Sequence, residues 1–90
     1  MRNMPKIETA LEKVVKLAPN EPEAWYNLAA IKVALNKPAE AAQNLRRSLD
    51  LSAKRLQQNP NAHDLAAEAR KDKTFDAIRE MPQFKDAPPQ

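Results

Sequence analysis

The chain has 90 residues, 42% of them hydrophobic and 30% charged, with a formal net charge of +3; this is the composition of one small globular unit rather than a disordered segment, with room for only a modest core. It has no cysteine, no glycine and one histidine, which excludes disulfides, thiolate chemistry and glycine-rich phosphate loops. No apolar run approaches the ~18 residues of a membrane span, and the first residues lack the charged-then-apolar pattern of a secretory signal, so the expectation is a cytoplasmic protein with no membrane contact.

Eight prolines must mark the turns that glycine would otherwise make, which favours helices with sharp boundaries over hairpins of strands. Residues 1–4 are expected to fray. Pro5 can open a first helix running to about residue 18, with Ile7, Leu11, Val14, Val15 and Leu17 as its apolar residues, Ile7 and Leu11 on one face. Glu12 and Lys16, four residues apart, would pair on its wet side. Pro19-Asn20-Glu21-Pro22 is a turn. A second helix follows, in which Trp25, Leu28, Ile31 and Leu35 recur at helical spacing with Ala29 beside them.

After Asn36-Lys37-Pro38 the pattern restarts with Ala42, Leu45, Leu49, Ser52 and Leu56. Pro38 suits a first helical turn, where its missing N–H has no intrahelical partner. So short a connection makes the two helices antiparallel neighbours. Asn59-Pro60-Asn61 ends the third helix. Asn61 can cap a fourth, with Leu65, Ala66 and Ala69 as its stripe. A fifth begins after Asp72, its Phe75, Ile78 and Met81 facing inward until Pro82, and residues 87–90 form a disordered tail.

The series Trp25-x2-Leu28-Ala29, followed by Ala41, Leu45 and Ser48 as small, large and small residues, resembles the tetratricopeptide repeat. Val14, Val15, Leu17, Pro19 and Asn20 resemble the end of a preceding repeat. The likeness covers one full repeat over residues 22–59 and the second helix of another over 5–18. Residues 61–84 resemble the capping helices that close such arrays, with Phe75 and Phe84 covering the last repeat face. Lys32 stands where the family has an aromatic, Asn36 where it has glycine, and Ala53 where it has the closing proline. Asn tolerates the left-handed conformation that ends a helix; without a proline at position 53 the third helix can continue to Gln58.

The resemblance implies an all-α fold of about four to five helices, arranged as antiparallel hairpins of an α-solenoid in a single domain over residues 1–86. It further implies a non-catalytic interaction module, the capped end of a longer repeat protein, that binds a peptide or partner protein on a concave surface lined by Glu23, Tyr26, Asn27, Ala30, Val33 and Ala34. Asn27 stands where chaperone-binding relatives use Asn to hold a peptide's terminal carboxylate. The alternative is self-association through the open face of the first helix, with Ile7 and Leu11 at the contact.

Residues for catalysis or metal binding are scarce. His63 has no imidazole or thiolate companion, and Glu8, Glu12, Glu21, Glu23 and Glu40 fall at helix starts or on faces expected to be wet. The expectation is therefore no enzyme activity, no metal and no cofactor. Arg46, Arg47, Lys54, Arg55, Arg70, Lys71 and Lys73 suggest a nucleic-acid surface, but the acids interleaved with them and the scarcity of aromatics to stack bases make solvated helix faces the better reading.

Overall fold

A computed structural model describes residues 4–79. Among them the fold is all-α: α1 spans Met4–Leu17, α2 Pro22–Ala34, α3 Pro38–Gln58, α4 Leu65–Lys71 and α5 Asp76–Arg79, with a single 3-10 turn at Lys73–Phe75 before α5. No described helix is long and apolar enough to cross a membrane. Met81, Pro82, Phe84 and the tail at 87–90 lie outside the described residues.

The hairpin of α2 and α3 is the centre of the molecule. Its register is antiparallel: Lys32, late in α2, meets Glu40, early in α3, while Glu23 meets Arg55 near the far end. Ala29, Ala41 and Ala42 are fully buried between the helices with Leu45, and alanine's small side chain allows this close approach. Proline opens each helix of the pair. Pro22 is itself buried, and its carbonyl accepts a hydrogen bond from Ser48 Oγ at 2.8 Å. The buried small residue at position 48 therefore supplies a polar contact as well as space.

α2 ends in a six-residue closure that uses no glycine. Asn36 adopts a φ of 63°, its N–H donates to the Val33 carbonyl at 2.9 Å, and the Lys37 N–H donates back to Lys32 at 2.8 Å. This is the Schellman arrangement, and it requires a residue that accepts the left-handed region. It also brings the side chains of Lys32 and Lys37 to one side of the helix end.

With alanine at position 53, α3 continues to Gln58, a length of roughly 31 Å at 1.5 Å per residue. Its extra turns meet two groups. Arg55 Nη1 donates to both carboxylate oxygens of Glu23 at 3.1 Å, and its Nη2 reaches Glu21 at 3.4 Å. Ser52 Oγ donates to the His63 carbonyl and accepts from the Leu65 N–H, each at 3.2 Å, pinning the start of α4.

That start differs from the expected one. Asp64, not Asn61, caps α4, its Oδ1 accepting from the N–H groups of Ala66 and Ala67 at 3.1 and 3.2 Å. Asn61 is held in a turn instead, donating its own N–H to Asn59 Oδ1 at 3.1 Å. The chain then crosses α2. Phe75 and Ile78 are fully buried against Ala29, Leu45 and Ala69, and burying the phenyl ring contributes roughly 2–3 kcal/mol.

Because Asn36 holds its φ at a cost that glycine would not incur, Asn36→Ala should lower unfolding free energy by about 1–2 kcal/mol, and Asn36→Gly should be neutral or slightly stabilising. Urea titration followed by circular dichroism measures both. Equal losses for Ala and Gly would show that the left-handed residue is not what closes the helix.

Candidate functional site

Two surfaces are candidates for a site, the one expected to be concave and the outside of α1. They are connected through Lys32.

The six residues expected to line the concave surface do not stand as one free face. Tyr26, Ala30 and Val33 pack against the cluster that holds Phe75 and Ile78. Tyr26 meets the Phe75 ring edge-on, with centroids 5.1 Å apart and planes at 80°, and its hydroxyl donates to Asp72 Oδ2 at 3.0 Å. The other carboxylate oxygen of Asp72 accepts from the Thr74 N–H at 2.9 Å. Tyr26 thus fastens the segment that crosses α2. Glu23 is half-buried and engaged by Arg55. Asn27 and Ala34 are exposed.

The basic residues are likewise partly engaged. Arg55 is paired with Glu21 and Glu23, the Arg47 guanidinium lies 6.0 Å from the centre of the half-buried Trp25 ring, and Arg46 and Arg70 have partners of their own. The Trp25 indole N–H donates to the Pro19 carbonyl at 2.9 Å.

Lys32 is the residue whose environment departs furthest from expectation. It is 4% exposed, and its ammonium sits 2.6 Å from Glu8, 2.8 Å from Glu12 and 2.7 Å from Glu40. The same Glu8 oxygen also accepts from Lys37 at 2.8 Å. An ammonium has three N–H groups to satisfy, and here each has a carboxylate, drawn from two different helices. Glu8, expected on a wet face, is buried, and Glu12 is committed to Lys32 rather than to Lys16. The cause is the enclosed ammonium, which needs carboxylates in place of its lost water.

The ionisation of these groups follows from their contacts. The Lys32 ammonium, and after it that of Lys37, hold the Glu8 carboxyl below its ordinary value of 4.5. Glu40 is lowered chiefly by its hydrogen bond from Lys32. Burial by itself pulls Lys32 down, but the hydrogen bonds to Glu12, Glu40 and Glu8 outweigh it and leave its pKa raised above 10.5.

With both its glutamates bonded to Lys32, α1 is sorted into two sides. Val15 is buried with Ala24 and Leu28, and Leu11 and Trp25 pack against them. Ile7 is 42% exposed, Val14 41% and Leu17 86%. Leu11 packs inward while Ile7, one turn before it, is the more exposed of the two. Positions 7, 14 and 17, separated by seven and three residues, share one helical stripe, and Ala10 is exposed within it. This uncovered stripe, in particular its Val14 and Leu17 members, had a signal in the sequence: the apolar residues of α1 outnumber those one buried face needs.

Comparison with protein-family models, with curated proteins and with solved structures returned no match.

Glu8 and Glu40 have lowered folded-state pKa values, so the stability they contribute is complete above 4.5 and is lost as the pH falls through those lower values. The Lys32 contribution is complete below 10.5 and is lost only in stronger alkali. Stability should therefore be nearly level between about pH 5 and pH 10 and fall on the acid side. Thermal melts followed through Trp25, which packs against Val15 and Leu28, should show this, with Glu8→Gln lowering the plateau and flattening the acid limb. An acid limb unchanged in Glu8→Gln would remove the cluster from the account.

Proposed function

We propose that the chain is a non-catalytic protein-interaction module, built from tetratricopeptide-like helical hairpins and belonging to a larger repeat protein or assembly, and that its contact surface is the outer side of α1. The observation carrying this reading is the stripe of Ile7, Val14 and Leu17 on one side of α1. Helical hairpins stack through such stripes, each repeat burying its apolar face on a neighbour. An apolar helix face left open by its own chain is the usual mark of a contact site.

The concave side has less to support it. Three of its six residues pack against the core cluster that includes Phe75, and Glu23 is paired with Arg55. A peptide reaching that side would find Asn27 and Ala34 exposed but would have to displace the Tyr26–Asp72 hydrogen bond to gain more.

Site-specific photo-crosslinking in the source cells distinguishes the two. A benzoylphenylalanine at position 14 should give discrete protein adducts, and one at position 27 should give few or none. Adducts at 27 with none at 14 would place the partner on the concave side and overturn the assignment to α1.

A further inference from the structure

We propose that the partner seated on α1 is an acidic amphipathic helix, one whose own apolar stripe is bordered by aspartate or glutamate. The proposal rests on the interaction-module reading and adds the chemistry of the partner.

The charged residues of α1 are Lys6, Glu8, Glu12, Lys13 and Lys16. Read along the sequence, they nearly balance. In the folded protein they separate. Glu8 is buried and Glu12 half-exposed, and both are held by Lys32, Glu8 by Lys37 as well. Lys6, Lys13 and Lys16 are exposed, and none of them forms an ion pair among the described residues. Lys6 and Lys13 lie seven residues apart, each immediately before an apolar member of the stripe, Ile7 and Val14; Lys16 immediately precedes Leu17. A helix of 3.6 residues per turn sets Lys6 and Lys13 along one border of that stripe. The uncovered side of α1 therefore presents apolar side chains edged by positive charge, with no exposed carboxylate of its own helix fully free to offset it.

Three kinds of occupant could meet such a surface. A second copy, packing α1 on α1 about a two-fold axis, would set lysines against lysines, which is unfavourable. An anionic lipid surface would attract the lysines, but the stripe has no aromatic side chain, and Ile7 and Val14 are already more than half covered by their own chain, which leaves little apolar area to insert. An acidic helix satisfies both features at once: its apolar residues cover Ile7, Val14 and Leu17, and its carboxylates reach the bordering lysines.

The test uses the full chain and three synthetic helical peptides of roughly 20 residues that share one leucine stripe, flanked by glutamate, glutamine or lysine. Fluorescence anisotropy should show the glutamate peptide binding about tenfold tighter than the glutamine one, with the advantage shrinking as salt is raised. The paired reversal Lys6→Glu/Lys13→Glu should transfer the preference to the lysine peptide, and Leu17→Asp should weaken binding of every peptide. Equal binding of all three peptides, or binding unaffected by Leu17→Asp, would overturn the proposal. So would retention on phosphatidylserine vesicles without peptide preference, which assigns the face to lipid, or a concentration-dependent dimer in sedimentation that buries Leu17, which assigns it to a second copy. Adducts at position 14 in cells together with indifference to peptide charge would refute the acidic partner while leaving the interaction module intact; no adducts at 14 would refute the module itself.

Discussion

The charge of Lys32 is enclosed between three helices, and an enclosed ammonium is tolerated only where carboxylates replace its lost water. Three do so: Glu8 and Glu12 from α1, and Glu40 from α3. The cluster ties together segments that share little else, because the apolar contact of α1 with the hairpin is a small group built on Val15, Ala24 and Leu28. The helix end contributes too. A Schellman closure usually brings an apolar pair together across its six residues; here the two residues are Lys32 and Lys37, and what they share is Glu8. The backbone geometry at Asn36 and the docking of α1 are thus parts of one arrangement.

Much of the fold could be read directly from spacing and punctuation. Prolines at 22 and 38 open helices, Asn36 takes the left-handed turn, and α3 continues past Ala53. These features are local, so the residues that determine them are adjacent in the chain. The cap of α4 was less legible because Asn61 and Asp64 are both good caps, and the choice between them depends on Ser52, a residue of another helix, holding the Leu65 N–H. The engagement of Glu8, Glu12 and Glu40 by Lys32 was not legible at all. A lone glutamate on a helix reads as solvated, and only the position of Lys32 in space reverses that. The same holds for Tyr26: its spacing puts it on the face between α2 and whatever crosses it, but that the crossing segment brings Phe75 and Asp72 to meet it is a tertiary fact.

These departures bear on function in opposite directions. The crossing segment engages Tyr26 on the face where a peptide was expected, and Ala30 and Val33 are packed against the core. The cluster around Lys32 has the reverse effect on α1. It engages Glu8 and Glu12, and leaves lysines and the Ile7, Val14 and Leu17 stripe outside. The lysine whose carboxylate contacts tie α1 to the hairpin thus bears on the polarity of the surface that α1 exposes.

The most direct test of this dependence is hydrogen–deuterium exchange on the wild-type chain and on Lys32→Met, which keeps the length of the side chain and removes its charge. If the ammonium holds α1 in place, the amides of residues 8–17 should lose protection in the variant while those of residues 41–51, in the centre of α3, keep theirs. Unchanged protection of α1 in Lys32→Met would contradict the account, since it would mean that the apolar contacts of Leu11 and Val15 dock the helix without the charge.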